Sequence, residues 1–488
     1  MLLRPASPTP RPLGELLDAV PGLSVQGSLE GVTVTGCTHD SRSVRPGDLY
    51  AALPGSRAHG ADFADDARRS GAVAVLTDAV GARRVTELPV LVAGTPRDAL
   101  GEVASWVHGD PSAALTVLGV TGTNGKTTTA FFLDAGLRAA GHVTGLLGTV
   151  LTRVGDETVP SERTTPEATD LHALFAVMRE RGVTAVAMEV SSHALALGRV
   201  DGVRFAASVF TNLSQDHLDF HGNMEDYFRA KASLFAPERS ARGVVFADDQ
   251  AGQRLLADPR TPLTSYGEHG DFRAEQVDLR PDGTDFQLVG PGVRAAASVQ
   301  LPGAFNLDNG LGALACLVTA GVPVAAAVRG VAGLPGVPGR MERIDAGQPF
   351  AALVDYAHTP DAVATLLRAV REVTPGRVIV VLGCGGDRDR SKRPLMGQAA
   401  VEGADVAVLT SDNPRSEDPL AILDQMTQPG ALVEPDRRAA IALAVGQARP
   451  GDAVVVAGKG HETGQEAGGV VTPFDDRVVL REALEALA

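Results

Sequence analysis

A glycine-rich segment at residues 121–128, TGTNGKTT, directly follows the apolar run at residues 115–120 and precedes a helical pattern. In a strand–loop–helix unit of this kind, glycines allow a tight turn and backbone N–H groups face an anion at the helix N-terminus. Lys126 then reaches the terminal phosphates of a nucleotide, and the Thr127 hydroxyl suits Mg²⁺. The glycine spacing departs from the general Walker pattern, so a strand-to-helix turn with an incidental lysine is the alternative. The segment predicts an ATP site but leaves the reaction open, since kinases, ATPases, transporters and ligases share it.

Apolar runs alternate with helical patterns along the whole chain, which is typical of parallel sheets covered on both faces. Two breaks rich in proline and glycine, near residues 108–112 and 334–339, interrupt this alternation. The 488 residues therefore predict an α/β protein of three domains. These are a small α/β domain at 1–108, a central P-loop domain with a parallel sheet at 109–336, and a Rossmann-like domain at 337–488. Antiparallel strands are predicted at 260–300 and a helical pair at 306–330.

Composition narrows the class of protein. The net charge of −15 argues against a nucleic-acid partner, because a phosphate backbone would be repelled. The three cysteines are far apart in sequence, which suits a reducing cytoplasm. An uncharged stretch at 309–328 is broken by Gly-Val-Pro at 321–323, so it predicts buried helices and no membrane span. We expect a soluble, cytoplasmic monomer that acts on small molecules.

Several polar side chains follow apolar strands of the central region, where ligands of parallel sheets bind. Glu189 ends the run VTAVAME, and a carboxylate there can hold Mg²⁺; a solvent-facing glutamate is the alternative. His217 lies in the dense polar group QDHLDFH that follows another apolar run. Lys231 follows on a predicted helix. Only four of the 44 basic residues are lysines, so a role as ordinary surface charge is less expected for Lys231 than usual.

A set of ordered motifs resembles the Mur ligases and spans nearly the whole chain. The motifs are DSR, TGTNGKTT, MEVSSH, TNLSQDHLDFHG with YFRAK, GAFN, GRMERI, DYAHTPDA, GCGGDRDRSKRPLMG, SDNPR and AGKGHE. The resemblance implies that the first domain holds a UDP-sugar substrate, the second ATP, and the third the incoming amino acid. The match is best to members that add a diamino acid as the third residue of the cell-wall peptide.

The resemblance implies a ligase reaction of peptidoglycan synthesis, and so a role in cell shape and division. ATP phosphorylates the D-glutamate side-chain carboxylate of UDP-N-acetylmuramoyl-L-Ala-D-Glu, and an amine attacks the acyl phosphate. Bringing a carboxylate to a γ-phosphate costs on the order of 4 kcal/mol per charge pair at 4 Å and an effective dielectric of 20. The implied catalytic group, Lys126, Glu189, His217 and Lys231, would offset this cost together with Mg²⁺. Thr127, Glu189 and His217 would hold Mg²⁺, and a CO₂-derived carbamate on Lys231 would position a second ion.

Other site residues follow from the resemblance. The nucleotide contacts are Gly122, Thr123, Asn124, Gly125, Lys126, Thr127, Thr128, Asn306, Arg340, Asp355 and His358. The contacts to the UDP-muramoyl dipeptide are His39, Ser41, Ser56, Arg57, Ala58, Thr164, Thr165, Ser191, Leu197 and Arg199. His39, Arg163 and Leu197 depart from the side chains that other members carry.

The segment SDNPR bears on which amino acid is added. In the resembling family, DNPR marks members that add diaminopimelate, whose second carboxylate Arg388 and Arg415 can bind. The implied contacts are Arg388, Asp412, Asn413, Pro414, Arg415, Gly458 and Glu462. We expect meso-diaminopimelate; L,L-diaminopimelate, lysine and ornithine are the alternatives. Folylpolyglutamate synthetase is a remote alternative, and a P-loop ATPase that drives a conformational change or a regulatory nucleotide-binding module is a rival of another class.

Overall fold

Three mostly parallel sheets, each from a separate stretch of chain, form the framework of the protein, and smaller antiparallel sheets accompany them. The structure is a computed structural model that describes residues 3–159, 161, 163–280 and 282–487. The α/β class predicted from the sequence is confirmed by these sheets. The predicted boundaries at 108 and 336 remain predictions, and each lies between two sheets.

The first stretch forms a five-stranded sheet in the order β2-β7-β6-β5-β4, in which only β2 is antiparallel to its neighbour. Buried apolar side chains cover both faces of this sheet. The elements are β1 Arg11–Pro12, α1 Leu16–Ala19, β2 Ser24–Gln26, β3 Thr33–Val34, β4 Gly36–Thr38, β5 Asp48–Ala51, α2 Ala64–Arg69, β6 Ala74–Thr77, α3 Ala79–Ala82, β7 Val90–Val92 and α4 Pro96–Val107.

The central stretch forms an eight-stranded sheet in the order β11-β10-β9-β12-β8-β13-β14-β15, with β9 and β12 to β15 parallel to β8. A three-stranded antiparallel sheet and two helices follow, as the alternating pattern at 260–300 and the apolar pair at 306–330 predicted. The elements are β8 Thr116–Thr121, α5 Lys126–Ala139, β9 Thr144–Leu147, β10 Thr152–Val154, β11 Glu157–Val159, α6 Ala168–Glu180, β12 Ala185–Glu189, α7 Ser192–Ala196, β13 Ala207–Phe210, α8 Leu218–His221, α9 Met224–Ala232, β14 Gly243–Phe246, α10 Gln250–Ala257, β15 Leu263–Tyr266, β16 Arg273–Arg280, β17 Gly283–Gly290, β18 Val293–Val299, α11 Ala304–Thr319 and α12 Val324–Ala332.

The last stretch forms a six-stranded sheet in the order β19-β20-β24-β21-β22-β23, in which only β19 is antiparallel. Apolar clusters fill both of its faces. The elements are β19 Glu342–Arg343, β20 Ala351–Asp355, α13 Pro360–Val373, β21 Val378–Cys384, α14 Lys392–Gly403, β22 Val406–Ser411, α15 Pro419–Met426, β23 Leu432–Val433, α16 Arg437–Gln447, β24 Ala453–Ala457, β25 Gly464–Ala467, β26 Val470–Pro473 and α17 Asp476–Glu485.

The helices are too short or too polar to cross a bilayer, throughout the part of the chain that the structure describes. The carboxyl ends of parallel strands meet at one edge of a sheet, where loops can gather polar side chains. Candidate ligand-binding loops are therefore those after β8, β12 and β13 in the central sheet and after β20, β22 and β24 in the last sheet.

Candidate active site

The loop between β8 and α5 depends on two glycines. Gly122 has φ 151° and Gly125 has φ 87°, conformations that side chains rarely adopt. A Cβ on Gly122 would lie 1.8 Å from Thr211 Oγ1, and one on Gly125 would lie 2.2 Å from Asn309 Oδ1. Both positions therefore require glycine for conformation and for space.

The segment that follows β13 fixes the shape of this loop. The Asn124 amide donates to Asn212 Oδ1 at 2.9 Å, and the Thr211 hydroxyl donates to the Asn124 carbonyl at 2.6 Å. The Thr123 hydroxyl donates to the Ser214 carbonyl at 3.1 Å. The loop is thus held in place beside the N-terminus of α5, whose first amides have no partners within the helix and can bind an anion.

Two lysines converge on one backbone oxygen of the loop. Lys126 Nζ donates to the Gly122 carbonyl at 2.9 Å, and Lys231 Nζ donates to the same oxygen at 2.7 Å. Lys231, on α9, is 1% exposed and lies over the Tyr227 ring at 4.6 Å from its centroid. Burial, followed by the charge of Lys126, holds the pKa of Lys231 well below its usual range. Burial also lowers the pKa of Lys126.

A buried carboxylate lies at the end of β12, and a histidine lies in the segment between β13 and α8. Glu189, the last residue of β12, is 1% exposed and accepts hydrogen bonds from the Thr149 amide at 2.8 Å and the Thr149 hydroxyl at 3.0 Å. His217 has φ 53°, lies 3.3 Å from Asp216 and packs edge-on against His193. Burial lowers the pKa of His217 to about 4, so its imidazole is neutral at pH 7 and can bind a metal.

The last sheet contributes a second wall. Arg340 Nη2 donates to the Thr127 hydroxyl at 3.1 Å, and the guanidinium lies 4.5 Å from the centroid of the Tyr356 ring. Asp355, at the end of β20, accepts from the Met341 amide at 2.8 Å, and burial raises its pKa. These contacts hold an arginine against the phosphate loop.

Two further predicted nucleotide contacts are held mainly by backbone groups. His358 Nδ1 lies 2.8 Å from the Tyr356 carbonyl, and burial lowers the pKa of its imidazole. Asn306 is 1% exposed, and its side-chain Nδ2 donates to the Pro302 carbonyl at 2.8 Å. Both side chains therefore have fixed positions.

One cavity of about 390 Å³ collects most of the predicted catalytic and nucleotide residues. It lies between the central sheet and the last sheet. The predicted residues that line it are Thr123, Asn124, Gly125, Lys126, Thr127, Thr128, Thr164, Glu189, Ser191, His217, Lys231, Asn306, Arg340, Asp355 and His358. An arrangement with two lysines, an arginine and a buried carboxylate can bind phosphate groups and bring a second anion to them.

Of the residues predicted to bind the UDP-muramoyl dipeptide, Thr164 and Ser191 line this cavity and the others lie outside its lining. Arg199 Nη2 pairs with Glu167 at 2.8 Å, and Arg97 pairs with the same carboxylate at 3.3 Å. His39 Nδ1 lies 3.0 Å from the Thr169 hydroxyl. The Thr165 hydroxyl donates a hydrogen bond to the backbone carbonyl of Glu189 at 2.9 Å. Ser41 and Leu197 are partly buried, whereas the loop residues Ser56, Arg57 and Ala58 are exposed.

The residues predicted to bind diaminopimelate gather at the carboxyl ends of β22 and β24. Asn413 Nδ2 donates to Glu462 Oε2 at 2.8 Å. Arg415 has φ 53°, donates to the Gly386 carbonyl at 2.6 Å and lies 3.6 Å from Glu466. The others of this group are the buried Asp412, Pro414 and Gly458 and the exposed Arg388.

Several residues at these sites were missed by sequence reasoning. Thr149 holds Glu189, Asn309 and Tyr356 line the cavity, and Lys459 bonds both Asn413 and Glu462. Asp361 receives a hydrogen bond from the Asn124 side chain at 3.4 Å. Lys459 carried a signal because lysine is scarce in this chain, and Tyr356 and Asp361 lie within the motif DYAHTPDA, whereas Thr149 and Asn309 carried none.

Fold and site together define an α/β protein with a glycine-rich loop of the phosphate-binding type at a cavity between two sheets. Matches to known families sharpen this class. Family models described as Mur ligase family, catalytic domain, as Mur ligase middle domain, and as Mur ligase, glutamate ligase domain match residues 33–105, 120–317 and 339–460. The chain belongs to the Mur ligase family.

Curated relatives match along the full length. The UDP-N-acetylmuramoyl-L-alanyl-D-glutamate–2,6-diaminopimelate ligase of Streptomyces avermitilis is 56% identical, over 99% of this chain and 98% of the relative. The protein of the same name from Corynebacterium glutamicum is 46% identical, over 97% of this chain and 96% of the relative. A UDP-N-acetylmuramyl-tripeptide synthetase from Leifsonia xyli is 45% identical, over 99% and 98%.

Solved structures give the same architecture. A structure of a UDP-N-acetylmuramoyl-L-alanyl-D-glutamate–2,6-diaminopimelate ligase has a TM-score of 0.68 at 33% identity, covering 95% of this chain and 97% of that chain. MurF ligase from Thermotoga maritima in complex with ADP has a TM-score of 0.64 at 19% identity, covering 92% and 97%. E. coli FolC in complex with DHPP and ADP has a TM-score of 0.58 at 20% identity and covers 74% of this chain and 89% of that chain. The last two likenesses concern the fold alone.

Proposed function

We propose that this chain is the ATP-dependent ligase that joins meso-2,6-diaminopimelate to the D-glutamate side-chain carboxylate of UDP-N-acetylmuramoyl-L-Ala-D-Glu. Relatives 56% and 46% identical over nearly the full chain bear the name of a 2,6-diaminopimelate ligase. The observation that carries the reaction class is the single cavity that gathers Lys126, Lys231, Glu189, His217 and Arg340. Its product is a precursor of peptidoglycan.

The chain's own residues bind and orient the two anions that react. The amides at the N-terminus of α5 and the amine of Lys126 bind the β- and γ-phosphates of ATP, and Arg340 approaches from the last sheet. A carboxylate oxygen of D-glutamate attacks the γ-phosphorus and ADP leaves. The amine nitrogen of diaminopimelate then attacks the acyl carbon, and phosphate leaves with the bonding electrons while the nitrogen loses a proton.

The oxygen and nitrogen donors beside the loop fit Mg²⁺. Thr127, Glu189 and His217 all line the cavity, and within the described part of the chain the side-chain oxygens of Glu189 accept hydrogen bonds from Thr149 and not from a cationic side chain. No cluster of three or more acidic, histidine or cysteine ligands occurs among the described residues, which suits an ion bound mainly through water and phosphate oxygens. Bound there, Mg²⁺ neutralises charge on the transferring phosphoryl group.

The environment of Lys231 supports the proposed carbamate. A buried amine with a lowered pKa is neutral enough to attack CO₂, forming an N–C bond and releasing one proton. The resulting anion would face Lys126, whose amine bonds the same carbonyl oxygen. Carbamylation thus places an anion beside the Lys126 cation, which creates an attraction, and it would supply oxygens suited to a second Mg²⁺.

We assign the remaining walls to the dipeptide and the diamino acid. His39, Ser41, Ser56, Arg57, Ala58, Thr164, Thr165, Ser191, Leu197 and Arg199 are proposed to contact the UDP-muramoyl dipeptide. Arg388, Asp412, Asn413, Pro414, Arg415, Gly458 and Glu462 are proposed to bind diaminopimelate. Glu462 suits the substrate's ammonium group, and Arg415 suits the carboxylate that lysine and ornithine lack.

The amino-acid assignment depends on Arg415. A site built around a guanidinium leaves its donors without a substrate partner when lysine binds, which costs about 1–3 kcal/mol for each unpaired group. Arg415 is 23% exposed, so this penalty is reduced by water but not removed. Lysine and ornithine should therefore be poor substrates, whereas L,L-diaminopimelate differs at a single stereocentre and is the nearest rival.

The decisive assay supplies ATP, Mg²⁺ and the UDP-muramoyl dipeptide with meso- or L,L-diaminopimelate, lysine or ornithine, and measures phosphate release. We expect release with meso-diaminopimelate and almost none without the dipeptide, which a free ATPase would not require. No release with any of the four amino acids would refute the ligase proposal. Preference for lysine, with Arg415→Ala neutral, would refute only the specificity.

We further propose that the enzyme works as a monomer in the cytoplasm, where ATP and UDP-linked precursors are available. The three cysteines are free and buried, which suits a reducing compartment. Light scattering after size exclusion checks the state: a mass near 50.4 kDa is expected, and a stable dimer would contradict it.

A further inference from the structure

Lys459 is a fully buried lysine in the loop after β24. Its side chain is 0% exposed, and its amine donates to three acceptors, one in the segment after β22 and two a few residues beyond Lys459 itself. These are Asn413 Oδ1 at 3.0 Å, Glu462 Oε2 at 3.1 Å and the Gly464 carbonyl at 2.7 Å. A buried ammonium is costly unless its donors are paired, and here all three are.

The bonds of Lys459 leave one oxygen of Glu462 available. Asn413 Nδ2 and Lys459 Nζ both donate to Oε2, so the side-chain bonds formed among the described residues do not use Oε1. Glu462 is 32% exposed, so that oxygen can meet a ligand. Lys459 therefore fixes the orientation of the carboxylate without covering it.

The same amine anchors the hairpin of β25 and β26, which begins at Gly464. This hairpin carries Glu466, whose carbonyl accepts from the Arg415 amide at 2.9 Å, and the Gly468 amide donates to the Arg415 carbonyl at 2.7 Å. The backbone of Arg415 is thus held by a hairpin that Lys459 ties to Asn413. One lysine connects the proposed ammonium-binding and carboxylate-binding groups.

We propose that Lys459 is a positioning residue that sets the spacing between Glu462 and Arg415, and so the length and charge pattern of the amino acid that fits. This inference rests on the proposed function of the same site. Lys459 itself would not contact the substrate, because its three donors are already bound within the protein. Its loss should weaken amino-acid binding without affecting the phosphorylation of the dipeptide.

The test compares Lys459→Met with wild type in the full enzyme, using ATP, Mg²⁺, the UDP-muramoyl dipeptide and meso-diaminopimelate. We expect KM for diaminopimelate to rise about 10- to 100-fold, as loss of a hydrogen bond to a charged group predicts. KM for ATP should stay within about twofold. Acyl-phosphate formation without the amino acid, measured as ¹⁸O scrambling between bridge and non-bridge positions of ATP, should also persist, since it needs only the other two substrates.

A double-mutant cycle tests whether Lys459 acts through Glu462. Lys459→Met combined with Glu462→Gln should raise KM for diaminopimelate little more than Glu462→Gln alone. Independent, multiplying effects would overturn the proposed route. Arg377→Met is the matched control, because it removes the ion pair of Arg377 with Asp452 at 2.8 Å. Arg377 directly precedes β21, at the amino ends of the parallel strands, whereas Lys459 lies at their carboxyl ends. The control substitution should lower stability and leave KM for diaminopimelate unchanged.

The outcomes separate this inference from the proposed function. If wild type uses none of the four amino acids, the proposed function fails and the inference fails with it. If wild type uses diaminopimelate and Lys459→Met keeps its KM, only the inference fails. Equal losses of scrambling and of amino-acid use in Lys459→Met would indicate general structural damage and would also overturn it.

Discussion

Replacing Lys231 with arginine keeps a positive charge but removes the primary amine that a carbamate requires. The amines of Lys126 and Lys231 donate to one carbonyl oxygen at 2.9 and 2.7 Å, so the two nitrogens lie no farther apart than the sum of these distances, 5.6 Å. Two unit charges at that separation interact by about 3 kcal/mol at an effective dielectric of about 20. A carbamate on Lys231 attracts the Lys126 cation, whereas an arginine at position 231 repels it. The two forms therefore differ by about 6 kcal/mol in their interaction with Lys126.

We expect Lys231→Arg to lose nearly all ligase activity. A difference of about 6 kcal/mol corresponds to about 10⁴-fold in rate, and side-chain movement offsets part of it, so a fall in kcat/KM of at least about 10²-fold is expected. The assay is phosphate release with saturating ATP, dipeptide and diaminopimelate. Lys231→Ala should recover part of its activity in acetate or formate, which place an anion in the vacated space. Lys231→Arg should not recover.

The control lies on the same helix. Arg229→Lys also exchanges one cation for another on α9, but its side chain is 71% exposed, so activity should stay within about twofold. Thermal unfolding and ADP binding establish that each variant is folded. A folded Lys231→Arg enzyme with kcat/KM within about threefold of wild type would refute the carbamate.

Three further changes test the site and the fold. Gly125→Ala should lower ADP affinity by at least about tenfold in calorimetry while the protein remains folded, because its Cβ would lie 2.2 Å from Asn309 Oδ1; unchanged affinity would contradict the description of the loop. Asp476→Asn should lower the free energy of unfolding in urea by about 3–5 kcal/mol, since it breaks a fully buried pair with Arg437 at 2.7 Å; a loss below about 1 kcal/mol would count against the pair. Burial lowers the pKa of His172 from 6.5 to about 4, so the unfolded chain binds the extra proton and stability should fall as pH drops through that interval. His172→Gln should reduce this pH dependence in urea titrations, and an unaltered slope would contradict the buried neutral imidazole.

The placement of the site was predictable because polar residues end parallel strands. Glu189, which ends β12, was recognised as a carboxylate at the end of an apolar run, whereas Asp355, which ends β20, and Asp412, which follows β22, were named from the family resemblance. Parallel strands bring their carboxyl ends to one edge of a sheet, so the pattern indicated which loops of the same sheet lie close together. The α/β class followed from the same alternation of apolar runs and helices.

The partners of those residues were not predictable in the same way. The Thr149 hydroxyl donates to Glu189, 40 positions further along the chain. In the sequence, Gly148 beside Thr149 suggests no more than a turn. Arg340 bonds Thr127 across 213 positions, and no periodicity records a contact of that range. A strand-end pattern therefore predicts where a charged group lies, whereas its hydrogen-bond partner depends on how separate sheets pack.

The bond between Arg340 and Thr127 has a consequence for how the two sheets respond to nucleotide. Arg340 Nε is buried and has no hydrogen-bond partner among the described residues, and Nη2 uses a neutral hydroxyl. A phosphate oxygen is a stronger acceptor than a hydroxyl, so bound ATP should draw the guanidinium toward the loop. The Met341 amide, next along the chain, donates to Asp355 at the end of β20, so the backbone beside Arg340 is tied to the last sheet. Nucleotide binding is then linked to the position of the last sheet, which carries the proposed amino-acid site, relative to the central sheet. ATP favours whichever arrangement of the two sheets binds it more tightly.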